Sequence, residues 1–240
     1  MNYFFTKAVI STKDFTVVLA HPYYNGTRTT LCYTRPNLSK WISFVTPYYQ
    51  YAIDVIHDNG LFYALTNKGS IIICGPSSII RVLSLQQPLS LLHPSIYFIV
   101  KSLDGDLLMV HREIQLSDKV DIHLHDFKTC DFRVYRIENE NNDQMYWKLE
   151  FDLGEQCLFL GDNESMVFSA LKYPELQRNC IYFTEGRVLN QRSASCKQPE
   201  QCDMGVYNLS DKSIKKLLYP STLTWPPSIW FTPHNEESHH

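Results

Sequence analysis

The apolar residues of this chain come in short runs of about four to six, divided by turn-forming residues, and few windows repeat at helical spacing. Phe15–Leu19 reads as a strand. His21–Gly26 follows as a turn, with Asn25 and Gly26 supplying positive φ, and Thr29–Tyr33 returns as a second strand. Trp41–Val45 reads as a third. The next unit is clearer: strands at Tyr51–Ile56, Leu61–Leu65 and Ser70–Cys74, turns at His57–Gly60 and Thr66–Gly69, and a further strand at Ile80–Leu85. Gly60 and Gly69 stand where a hairpin needs a left-handed residue. A similar unit starts at Ser95–Val100, turns at Leu103–Asp106 and returns along Leu107–Arg112. After a looser polar stretch, Phe132–Ile137 and Met145–Glu150 pair across a loop, Glu138–Asp143, too polar to bury. The last unit holds Cys157–Leu160, Met166–Ser169, Cys180–Phe183, Met204–Leu209 and Ser213–Leu217. Leu171–Leu176 reads as one helical turn, and Gly186–Asp203 as a long surface loop.

Meanders of about four strands, repeating at roughly 40 to 50 residues, are the signature of propeller blades. The predicted fold is all-β: a β-propeller-like array of four-stranded meander blades, four to five in number and incomplete as a ring. It spans residues 1–233, with a disordered tail over 234–240. Trp41 and Trp147 take comparable late-strand positions in the repeat. A β-sandwich is the alternative architecture.

Composition narrows the class. Of 240 residues, 44% are hydrophobic and 20% charged, which suits a globular domain rather than a disordered chain. The net charge of −3, without a basic stripe, argues against nucleic acid as a partner. Seven cysteines, an odd number, are scattered and sit mostly inside apolar runs, as Cys74 and Cys180 do. With no CxxC pair, they read as free thiols in a reducing compartment. Met1–Ile10 lacks the charged start and small-residue cleavage site of a signal peptide. The apolar runs are far too short for a membrane-spanning helix. These features predict cytoplasm or nucleus and no membrane partner. The Asn-x-Ser/Thr triplets at Asn25, Asn37, Asn163 and Asn208 read as chance or as turn chemistry.

No catalytic, cofactor-binding or metal-binding residue is predicted. Asp121, His123 and His125 fall on one face of a strand and could ligate a metal, but no conventional ligand spacing supports them. Asp104-Gly105-Asp106 lacks the remaining ligands of a calcium loop and reads as a hairpin turn. Gly161-Asp162-Asn163 reads as a turn whose side chains bond nearby backbone. Cys180 reads as core. Neither a Gly-x-Ser-x-Gly elbow nor a glycine-rich phosphate loop occurs. Tyr23, Tyr24, Tyr48, Tyr49 and Trp225-Pro226-Pro227 lie beside turn residues and could form an aromatic binding rim. His239-His240 reads as a frayed end.

Six strings occur in order: Lys7-Ala-Val-Ile-Ser11, Asn59-Gly-Leu-Phe-Tyr-Ala64, Phe132-Arg-Val-Tyr-Arg136, Cys157-Leu-Phe-Leu-Gly-Asp-Asn163, Asn179-Cys-Ile-Tyr-Phe-Thr184 and Ile229-Trp-Phe-Thr-Pro233. Together they resemble the plant domain that follows the F-box in many F-box proteins, also described as the propeller of the kinase-inhibiting proteins of brassinosteroid signalling. The resemblance implies a non-catalytic propeller that binds a protein substrate or a kinase. In full-length family members an F-box docks the Skp adaptor of a cullin ubiquitin ligase. No F-box is read in this chain, so a Skp contact is not expected of it. Two alternatives stay open: a propeller enzyme or binder of a small ligand or metal, using the central channel, and a truncated product with little function of its own.

Overall fold

The computed structural model describes residues 7–11, 13–20, 31–44, 51–76, 78–84, 95–116, 127–140, 144–163, 165–184, 203–217 and 230. Within them, short turns fold the apolar runs into four sheets. The first holds β1 (Lys7–Ile10), β2 (Val17–Ala20), β3 (Leu31–Thr34) and β4 (Ile42–Ser43). The second holds β5 (Ala52–Asp58), β6 (Leu61–Thr66), β7 (Ile71–Cys74) and β8 (Ile79–Leu83). The third holds β9 (Ser95–Lys101), β10 (Leu107–Leu116), β11 (Phe127–Glu140) and β12 (Gln144–Glu150). Each of these three is an antiparallel meander in sequence order. Asn59 and Gly60, with φ of 49° and 80°, make the two-residue link between β5 and β6 that the Asn-Gly pair predicts.

The fourth sheet departs from the expected meander. It has five strands, β13 (Gln156–Leu160), β14 (Met166–Ser169), β15 (Cys180–Phe183), β16 (Gly205–Asn208) and β17 (Ile214–Lys216), in the order β14-β13-β15-β16-β17. β13 and β15 are parallel. Parallel neighbours need a connection that carries the chain back to the starting end. Antiparallel β14 carries the chain back, and residues 170–179 cross from one side of β13 to the other at its starting end, with Ala170 N–H on Glu155 C=O (2.8 Å) and Asn179 N–H on Gln156 C=O (2.9 Å). Where one helical turn was expected, the same stretch makes hydrogen-bonded turns, with the Lys172 and Tyr173 N–H groups both on Ser169 C=O.

Two further expectations change. The stretch after Arg112, read as loose and polar, is strand at both of its described ends: β10 runs on to Leu116 and β11 begins at Phe127. A bulge at Glu113/Ile114 lets Ile114 and Thr129 stay buried while polar neighbours face outward, which blurs the alternation that marks a strand. Trp41 and Trp147 are also not equivalent. Trp41 precedes β4 and is exposed, whereas Trp147 is buried within β12 and donates its indole N–H to Gly69 C=O at 2.8 Å.

The sheets pack face to face in chain order through three apolar clusters. Val9, Val18, Leu31 and Phe44 meet Val55, Phe62, Ala64 and Ile72. Ile56, Leu65 and Ile71 meet Ile99, Met109, Tyr135 and Trp147. Phe98, Leu108, Val110, Phe132 and Val134 meet Leu158, Leu160, Ile181, Phe183 and Tyr207. Adjacent residues such as Val55 and Ile56, or Ile71 and Ile72, therefore point into different interfaces. A sheet buried on both faces reads as a continuous apolar run, which is what the sequence shows. β1 touches β5, β5 touches β9, and β9 touches β14, so one strand from each sheet lines the inside of the array. Asp54 bonds the Ile99 N–H (2.8 Å) and Asp58 pairs with Lys101, so β5 and β9 run the same way. This is an all-β propeller with four blades among the described residues.

Two buried charge clusters join the blades. Lys7 pairs with Asp54, and the same carboxylate accepts the Val55 and Ile99 N–H groups, tying β1, β5 and β9 together. Between the third and fourth blades lies Arg112, fully buried. It donates to Thr129 Oγ1 (2.7 Å), Thr184 C=O (2.8 Å) and Asp203 Oδ2 (2.9 Å), with its guanidinium 4.8 Å from the centre of the Phe183 ring.

Candidate functional site

At one end of the third and fourth blades, four connecting segments are bonded into a platform. Leu103, in the β9–β10 turn, donates its N–H to Gln156 Oε1 (2.8 Å), and Gln156 Nε2 donates to Asp104 Oδ2 (2.9 Å). Glu155 takes the Ala170 N–H through its backbone and Arg178 Nη1 through its side chain (2.8 Å). Asn179, at a left-handed φ of 54°, accepts the Leu153 N–H (2.9 Å) and donates to Ser210 Oγ (2.7 Å). The turn 102–106, the segment 151–155, the crossover 170–179 and the β16–β17 turn are thus held by side-chain bonds rather than by strand pairing. On this frame stand Leu103, Phe151 and Leu171, which are 54%, 72% and 76% exposed. Large apolar side chains on a braced loop surface are the elements of a protein-binding patch.

A second concentration of functional groups lies on one face of the third sheet. The register puts Ser95, Tyr97, Glu113, His111, Asp131 and Arg133 side by side beyond the apolar part of that face. His111 is buried, stacks on Tyr97 at 4.8 Å and shares a 2.8 Å hydrogen bond with Ser95 Oγ. Burial, aided by the Arg133 cation, holds its imidazole below the ordinary value. Arg133 pairs with Glu113 (3.0 Å) and Asp131 (3.6 Å), and Asp131 accepts the Tyr207 hydroxyl at 2.5 Å. A serine bonded to a neutral histidine is the start of a nucleophile–base pair. Among the described residues, no carboxylate is hydrogen-bonded to the His111 ring to orient it.

The residues singled out from sequence fall as follows. Asp104-Gly105-Asp106 is the expected hairpin turn: Gly105 has φ 92°, the Asp106 N–H bonds Ser102 Oγ, and Asp106 pairs with Arg136. Cys180 is buried, and burial pushes its thiol up; the neighbouring Cys157 thiol is pushed up to about 11. Cys32, Cys74, Cys130, Cys157 and Cys180 are free thiols. No group of three or more His, Cys, Asp or Glu able to hold a metal occurs among the described residues. Asp121, His123, His125, Tyr23, Tyr24, Tyr48, Tyr49 and Trp225–Pro227 lie outside them.

Gly161-Asp162-Asn163 is a turn, and it holds a distant residue. The Asn163 carboxamide donates to Trp230 C=O (2.8 Å) and accepts the Trp230 N–H (3.3 Å). The Trp230 indole N–H bonds Leu160 C=O at 2.8 Å, and the ring stands edge-on to Phe159 at 4.9 Å. Sequence reading missed this contact, together with the Leu103–Phe151–Leu171 platform and the Ser95–His111 pair. Each joins residues far apart in the chain, and only the three exposed apolar residues leave a trace in the sequence, as large hydrophobics set among turn formers. Phe15 is also exposed, at an unfavourable left-handed φ of 54° in the β1–β2 turn.

The chain is 26% identical over 204 residues to the F-box protein SKIP23 of Arabidopsis thaliana, covering 78% of this chain and 47% of that protein. It is 22% identical over 144 residues to the F-box protein KIB4 of Arabidopsis thaliana, covering 58% of this chain and 35% of that protein. It therefore spans about half and about a third of these curated relatives. The solved N-terminal domain of Nup159 aligns with 57% of this chain and 35% of its own length at 14% identity, with a TM-score of 0.37, too loose to bear on the fold. The family model of the KIB1-4 beta-propeller matches residues 1–208, and the chain belongs to that family.

Proposed function

We propose that this chain is a non-catalytic protein-interaction propeller, similar in role to the substrate-recognition part of plant F-box proteins, and that its ligand is another protein, a degradation substrate or a kinase. The observation that carries the reading is the exposure of Leu103, Phe151 and Leu171 on loops fixed by side-chain hydrogen bonds. A pre-braced surface loses little conformational freedom when a partner binds, so its apolar contacts translate into affinity. Membership of a propeller family with F-box relatives supports the same role. The free cysteines suit action in a reducing compartment, cytoplasm or nucleus.

Affinity capture from plant tissue, with Leu103, Phe151 and Leu171 each replaced by Asp, tests the reading. The expected result is a partner retained by the intact chain and by an Ile80→Asp control on the exposed edge of the second sheet, and lost from the triple variant. Equal retention by all three proteins would sink it. The Ser95–His111 pair favours a second reading, a hydrolytic enzyme, through its 2.8 Å bond. Turnover of ester substrates that Ser95→Ala abolishes would support that reading over the first.

A further inference from the structure

The turn between β13 and β14 makes an unusually complete set of contacts with one residue from far along the chain. All three hydrogen-bonding groups of Trp230 are engaged: backbone N–H, backbone C=O and indole N–H. The Asn163 carboxamide meets the backbone pair as a neighbouring strand would, a contact open to any residue with an extended main chain. The Leu160 carbonyl meets the indole N–H, a donor that a phenylalanine lacks and that a tyrosine carries elsewhere on its ring. Phe159 and Tyr182 stack on one another at 4.5 Å, and the Trp230 ring stands perpendicular to both, its centre 4.9 and 6.4 Å from theirs. Gly161 leaves room for Thr184 and for the Asn163 side chain that holds Trp230. A Cβ there would lie 2.6 Å from Thr184 Oγ1 and 3.4 Å from Trp230 Cδ1.

We infer that the surface formed by Phe159, Leu160, Gly161, Asn163 and Tyr182 is a recognition site for a tryptophan-bearing extended peptide, filled in this chain by its own Trp230. The selectivity is split: Asn163 reads main chain and Leu160 reads the indole. Its occupant lies 67 residues beyond Asn163 and outside residues 1–208 that match the family model. A ligand held through one side chain and one peptide unit is replaceable by a competing segment that offers the same groups. The inference is independent of the Leu103–Phe151–Leu171 platform, whose residues take no part in the site.

The test uses the full chain carrying Trp230→Ala and a peptide of residues 228–232, Ser-Ile-Trp-Phe-Thr, labelled with 5-fluorotryptophan and followed by fluorine NMR. The expected result is saturable one-to-one binding that weakens about tenfold or more when Asn163→Ala is added, and an unlabelled peptide with phenylalanine in place of the tryptophan competes with the labelled one about tenfold or more less well than the unlabelled tryptophan peptide does. The intact chain binds more weakly, because tethered Trp230 competes. Equal binding of the Trp and Phe peptides, equal binding by intact and Trp230→Ala chains, or no saturable binding would overturn it. Should Trp230→Ala not fold, the intact chain labelled with 5-fluorotryptophan supplies the second reading. Excess unlabelled peptide shifts the Trp230 resonance to its solvent-exposed position if the site exchanges, and leaves it unmoved if Trp230 is a fixed strut.

Discussion

Burial decides the chemistry of His111. Its ring is sandwiched against Tyr97 and bonded to Ser95, and desolvation plus the Arg133 cation disfavour the imidazolium. A histidine whose folded value lies below the unfolded one, about 6.5, binds fewer protons when folded than when unfolded. Its contribution to stability is therefore complete above that unfolded value and is lost as the pH falls through and below it. Urea unfolding at stepped pH checks this. The intact chain should lose more stability between pH 7 and pH 5 than His111→Gln does, and parallel losses would contradict the assignment. Nothing in the local sequence distinguished His111 from the other histidines. Its neighbours Ser95 and Tyr97 come from β9 and Arg133 from β11, on either side of β10, and only the register brings them together.

At the scale of elements, the hairpins were largely legible because their turns carry chemistry: Asn59-Gly60, Gly69 and Gly105 all sit at the left-handed φ that their positions require. The β10–β11 extension was not legible, since its bulge shifts the alternation and Arg112 stands where an apolar residue would be expected. That arginine belongs to the junction of the third and fourth blades, with Thr129 and Asp203. Asp203 accepts the Thr129 N–H (2.9 Å) and hydroxyl (2.6 Å) as well as the guanidinium. Removing one partner of a buried pair strands the other, at a cost of about 3–5 kcal/mol. Asp203→Ala should lower the unfolding free energy by that order, and Arg112→Met combined with it should recover part of the loss. Chemical denaturation of the two variants decides it. A change under about 1 kcal/mol for Asp203→Ala would show the pair to be incidental.

Across the whole molecule, the continuous apolar runs encode a stack of sheets buried on both faces, so the propeller was readable from pattern and from the six family strings together. The fourth sheet was not, because the parallel β13–β15 pair depends on a crossover that has no periodicity to read. That crossover also helps build the surface to which function is assigned: 170–179 carries Leu171, and through Glu155 and Asn179 it braces the loop bearing Phe151. The most direct measurement is site-specific photo-crosslinking in plant extract, with the reactive group placed in turn at Phe151, Leu171 and the distant exposed Ile80. A common protein adduct from positions 151 and 171, absent from position 80, is the predicted result. Adducts from position 80 alone, or none from 151 and 171, would contradict a partner-binding platform at this end of the propeller.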